Sequence, residues 1–235
     1  MKKLALLVLL ATNATAVPTE VTVHVIAKDA KAIYDVVGGA WVTITDQKTG
    51  KVLAEGLHTG KSAGSTQKIM IEPHKRGDTI FATPNTAFFR TTLDLEAPTV
   101  VEIKAAGPMD YPQAKRTASK TLLLVPGEHI TGDGVVLEIH GLIVEAEAGN
   151  GEVSARVRMA CSCPIEPGGI WNADEFDVTA ALLNSGGEII ATVPMAWESG
   201  RWKTSSPQLA NAASVRVLAG HTPTANFGMH TIDLQ

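Results

Sequence analysis

Three sulfur side chains stand two residues apart in the stretch Arg158-Met-Ala-Cys-Ser-Cys-Pro-Ile-Glu-Pro-Gly-Gly-Ile-Trp171: Met159, Cys161 and Cys163. Thioether and thiolate are soft donors, and the ion they select above others is Cu(I). Upstream, Val153, Ala155 and Val157 alternate with Ser154, Arg156 and Arg158. If that alternation continues, Met159, Cys161 and Cys163 share the apolar face at the end of one strand, with Ala160 and Ser162 opposite. Pro164 and Pro167-Gly168-Gly169 then close the strand with a rigid loop.

Three uses of these sulfurs stay open. They can pack as ordinary core residues, since free Cys and Met behave as small or flexible hydrophobes. They can hold Cu(I), with His221, Met229 or His230 as further ligands if the last strands lie beside the cysteine strand. Or the thiols can cycle through a disulfide. In an extended strand, residues two apart have Cα atoms ~6.6 Å apart, whereas a disulfide prefers ~5.5–6 Å. Pairing therefore demands a kink in the chain. An interstrand bridge of antibody type is excluded, because the opposing run Val215, Val217, Ala219 has no cysteine. Zinc is disfavoured, because four N/S ligands at the usual spacings are not present.

Other chemistry-bearing residues carry less. Gly60-Lys-Ser-Ala-Gly64 matches a nucleophile-elbow string, but that motif needs a strand–turn–helix in an α/β sheet and reads here as a loop. His58 and His74 flank it and read as exposed loop histidines. Asp174, Glu175 and Asp177 read as an open acidic turn, and Trp171, Trp197 and Trp202 as core aromatics or a surface patch. No glycine loop precedes a helix, so phosphate binding has no support. No catalytic constellation is present, and the expectation is a non-catalytic chain.

What must position the sulfurs is a set of strands. Period-2 alternation dominates and no helical stripe is found. Strands are expected at Glu20–Ala27, Ala40–Thr45, Lys51–Glu55, Gln67–Ile71, Phe88–Leu95 and Val100–Ala105, with a connector over 107–134 that holds one further strand, Thr121–Val125. A second series follows at Val135–Ala146, Glu152–Cys163, Phe176–Leu183, Glu188–Trp197, Arg201–Ser205, Ser214–Ala219 and Met229–Leu234. Seven short strands in such a stretch suit an immunoglobulin-like sandwich. The fold class expected is all-β, with two β-sandwich domains, 17–134 and 135–235.

The pattern Val21-Thr-Val-His-Val, then Gly39-Ala-Trp-Val-Thr-Ile-Thr-Asp and Thr49-Gly-Lys-Val-Leu-Ala-Glu-Gly56, resembles the prealbumin-like domains of the carboxypeptidase regulatory-like family. The resemblance runs from about Val21 to Ala106. It implies a non-catalytic sandwich built around a hairpin, and it supplies no catalytic residues.

Length and charge bound the rest. The 235 residues are 45% hydrophobic and 19% charged, which excludes wholesale disorder and leaves room for two ordinary cores. A formal charge of -4 argues against a nucleic-acid partner. Lys2 and Lys3, the apolar run Leu4–Ala11 and Ala14-Thr15-Ala16 form a secretory signal over residues 1–16, too short to span a bilayer. Without it, 18 basic face 24 acidic side chains, and the whole excess of acid lies beyond residue 134. The expectation is a bacterial protein exported to the periplasm or exterior, not membrane-spanning, whose partner is another exported protein.

Overall fold

The computed structural model describes residues 15–234. The expected signal, 1–16, lies outside them except for Thr15 and Ala16. Over the described residues the protein is all-β: fifteen strands form four sheets, which pair into two sandwiches.

In the first sandwich, β1 (Val17–Ala27) is the central strand of a three-stranded sheet between β4 (Phe89–Leu95) and β7 (Ile130–Ile139). Facing it is the sheet β3-β2-β5-β6, formed by β2 (Ala40–Asp46), β3 (Val52–His58), β5 (Thr99–Gly107) and β6 (Arg116–Leu124). Alternation sets the core. Val21, Val23, Val25 and Ala27 meet Ala40, Val42, Ile44, Val101, Ile103 and Ala105, all fully buried. Gly39 opens β2 with φ +67, and a side chain there would run into the His58 carbonyl, so this hairpin needs glycine before Ala40.

The second sandwich holds eight strands: β8 (Leu142–Gly149), β9 (Glu152–Met159), β10 (Asp177–Leu183), β11 (Ile189–Pro194), β12 (Ala196–Glu198), β13 (Arg201–Ser205), β14 (Ser214–His221) and β15 (Asn226–Asp233). Their orders, β12-β13-β9-β8 and β11-β10-β14-β15, are D-E-B-A and C′-C-F-G of an immunoglobulin-like sandwich, with every pairing antiparallel. The chain changes sheet at buried Met195, between β11 and β12.

Four expectations need correction. Gln67–Ile71 forms a single π-helical turn, not a strand, with Ile69 alone buried. Val135–Ala146 is two strands split at His140-Gly141; β7 lies parallel to β1, so the expected break after residue 134 falls inside a strand of the first sandwich. The apolar run continues through the split but changes phase there, with Val135, Leu137 and Ile139 buried in β7 and Leu142, Val144 and Ala146 in β8. Glu188–Trp197 is likewise two strands, in different sheets. The fourth concerns the cysteines: β9 ends at Met159 and does not continue to Cys163.

Candidate functional site

After Met159 the chain reverses. Ser162 N–H donates to the Met159 carbonyl (2.8 Å) and Met159 N–H to the Cys163 carbonyl (3.0 Å), while Ser162 takes a left-handed φ of +67. Arg158 and Pro164 then form an antiparallel bridge. This reversal draws the Cys161 and Cys163 Cα atoms to 5.4 Å, and the two cysteines are joined as a disulfide. The kink that pairing demands is thus present, and the three sulfurs do not line one strand face. Pro164 does not stop the strand; the turn precedes it.

All three sulfur residues are buried, Met159 and Cys161 sealed at 1% exposure and Cys163 the most open at 7%. The remaining ligand candidates are engaged elsewhere. His221 stacks on Phe176 and shares a hydrogen bond with the Thr224 hydroxyl. His230 Nδ1 accepts from Ala146 N–H (3.0 Å), and Met229 faces out from the far sheet. Among the described residues no three His, Cys, Asp or Glu side chains converge as a metal site. A joined pair of cysteines offers no thiolate, so a Cu(I) site made of Met159, Cys161 and Cys163 belongs to the reduced chain.

The turn sits at the end of the second sandwich that meets the first, and Arg158 ties it there. One guanidinium nitrogen, Nη1, donates to Ser162 Oγ (2.5 Å). The other, Nη2, donates to Glu145 Oε2 (2.6 Å) and to the Tyr111 hydroxyl (2.9 Å), and the group lies 5.3 Å from the Tyr111 ring centre. Tyr111 belongs to the segment between β5 and β6, so a single cation joins the disulfide turn, strand β8 and the first sandwich. A planar fork reaches acceptors on separate sides from two nitrogens, whereas a lysine gathers its three donors on a single atom. Alternation predicts the face on which Arg158 projects; it gives no hint of Tyr111.

Two more contacts complete the joint. Trp171, at the end of the loop that follows the turn, donates its indole N–H to the Asp29 carbonyl (2.7 Å). Asn226, fully buried, accepts from Gly141 N–H and donates to the Lys28 carbonyl, both at 2.9 Å. Trp202 is also buried, edge-on to half-buried Trp197, so the three tryptophans form no common surface patch.

The histidine expectation is overturned in the first sandwich. His58 is fully buried, and its Nε2 accepts from Val25 N–H (3.0 Å), which fixes the neutral ring. Burial, with His24 nearby, lowers its pKa to about 3. His24 is also buried and its pKa lowered by desolvation; it donates to the Ala87 carbonyl and stacks on Phe81 at 4.1 Å. His74 alone fits the exposed-loop reading, donating to the Lys68 carbonyl. Gly60-Lys-Ser-Ala-Gly64 lies in irregular chain, and the π-helical turn after it begins only at Gln67, so Ser62 does not sit at the strand–turn–helix junction of a nucleophile elbow. Asp174 and Glu175 form a short 3-10 turn capped by Asn172, and Glu175 lies 3.9 Å from His221.

No protein-family model matches the chain, and no curated protein matches it. A solved structure of native alpha-2-macroglobulin from Escherichia coli, spanning domains NIE-MG1, is similar over 92% of this chain and 97% of that one. The identity is 10% and the TM-score 0.26.

Proposed function

We propose that this chain is an exported structural or protein-interaction module, with a prealbumin-like first sandwich, whose sulfur segment serves as the joint between its two halves. The observation that carries this is the Arg158 guanidinium, held at once by Ser162 of the disulfide turn, Glu145 and Tyr111. The β2–β3 hairpin, with its Gly39-Ala40 opening, supports the prealbumin-like assignment. Residues 1–16 support export to the periplasm or exterior. The partner is another exported protein, and the face for it is the outer side of the β11-β10-β14-β15 sheet. There Leu218 and Met229 are cross-strand neighbours, both about half exposed, and Phe227 lies beside them over Gly220.

Small-angle scattering of Tyr111→Phe tests the joint: a broader distribution of intramolecular distances than in the parent is expected, and an unchanged one overturns the reading. The soft-metal use of Met159, Cys161 and Cys163 is decided by anaerobic Cu(I) titration of the reduced chain. Stoichiometric binding that a Cys161→Ser/Cys163→Ser variant loses would make metal binding the function; none leaves the sulfurs structural.

A further inference from the structure

We infer that the Cys161–Cys163 bond is a reduction site that controls how firmly the two sandwiches are held together. This deepens the joint reading above and rests on it. Only Ser162 separates the two cysteines, so the crosslink acts on a single tight turn of the chain. The residue it pins is a serine in the left-handed region, a conformation that a side chain disfavours and that persists only where its surroundings hold it. The restraint passes directly to the joint, because that serine's hydroxyl is an acceptor for Arg158, and Arg158 is what Tyr111 grips.

Reduction needs a dithiol, protein-borne or small. Its thiolate attacks Cys163 Sγ, at the less buried residue of the two, and the Cys161–Cys163 bond breaks as a mixed disulfide forms. The dithiol's second thiol closes onto its own sulfur in that mixed disulfide and releases Cys163. The dithiol leaves oxidised, and its two protons end on Cys161 and Cys163. Cys161, sealed among apolar neighbours, rests there as a neutral thiol, which a buried site favours. With the crosslink gone, nothing covalent holds Ser162 in its left-handed turn. The alternation Val153, Ala155, Val157, Met159, Cys161, Cys163 then fits a longer β9, in which Ser162 no longer meets Arg158.

Hydrogen exchange on the full chain, oxidised and after dithiothreitol with the thiols counted by alkylation, tests this. Loss of one charge-assisted bond predicts about tenfold faster exchange or more, both at 158–164 and, across the joint, at 109–114. A Cys161→Ser/Cys163→Ser variant, which needs no reductant, is expected to match the reduced chain. Faster exchange confined to 158–164, no change anywhere, or a bond that resists dithiothreitol in the folded chain overturns the inference. Tyr111→Phe in the oxidised chain separates the two readings. If it speeds exchange at 158–164 while reduction leaves 109–114 unchanged, the joint stands and the switch falls; if it changes nothing, the joint reading itself fails.

Discussion

His58 is a polar side chain placed where burial disfavours a positive charge. Its ring accepts a backbone hydrogen bond at Nε2, and burial holds its pKa near 3 against an ordinary 6.5. Between those values the unfolded chain binds a proton that the folded chain does not. The stability His58 allows is therefore complete above pH 6.5 and is lost as pH falls toward 3. Each pH unit costs about 1.4 kcal/mol in that window, so the loss by pH 4.5 is about 3 kcal/mol. His24, shifted the same way by burial, adds to it. In His58→Gln, which keeps an acceptor for Val25, the urea midpoint is expected to fall less steeply from pH 7 to 4.5 than in the parent. Parallel slopes would show that His58 does not set the acid limit.

At the scale of elements, the edge where β15 meets β8 depends on close approach. A Cβ on Gly228 would collide with the backbone of Leu142, and the gap is narrow enough for Ala146 N–H to reach His230. Gly228→Ala must push the two strands apart or shift Leu142, and a loss of about 2–4 kcal/mol is expected in denaturant unfolding. A loss below 0.5 kcal/mol would mean that the edge is pliable. Strand existence was legible in the sequence because one-faced burial writes itself as alternation, as in Val153, Ala155, Val157 and in Val42, Ile44. Where a strand stops was not. β9 ends at Met159 because the chain reverses at Ser162, and its alternation is indifferent to that reversal. Alternation puts His24 on the face of β1 opposite Val23 and Val25 and says nothing of its burial, since the residues that cover it, Phe81 and Ala87, lie in a loop with no periodic pattern. The joint was hidden for a similar reason: Tyr111 and Asp29 sit in irregular segments, and pairing rules say nothing about their partners.

Across the whole molecule, the two cores are continuous. Ala27, Ala30 and Ile139 of the first sandwich belong to the same buried cluster as Leu142, Met159 and Trp171 of the second. A single calorimetric transition is therefore expected for the full chain. Trp171→Phe combined with Asn226→Ala removes the indole bond to Asp29 and both amide bonds at Lys28 and Gly141, about 1 kcal/mol each. The double variant is expected to melt in two steps; one sharp step would mean that apolar continuity alone couples the halves. The parallel pairing of β1 with β7 carries a temporal cost. Val23 has its ladder partner at Val135, on the far side of every other strand of its own sandwich. During synthesis, the valine-rich ribbon Val21–Val25 emerges before its parallel partner and stays unpaired on that side until residues 130–139 follow. Parallel pairings of such long range close slowly and leave an adhesive ribbon open meanwhile. Shielding by a holdase, or brisk delivery of the remaining chain, then decides the yield of folded protein.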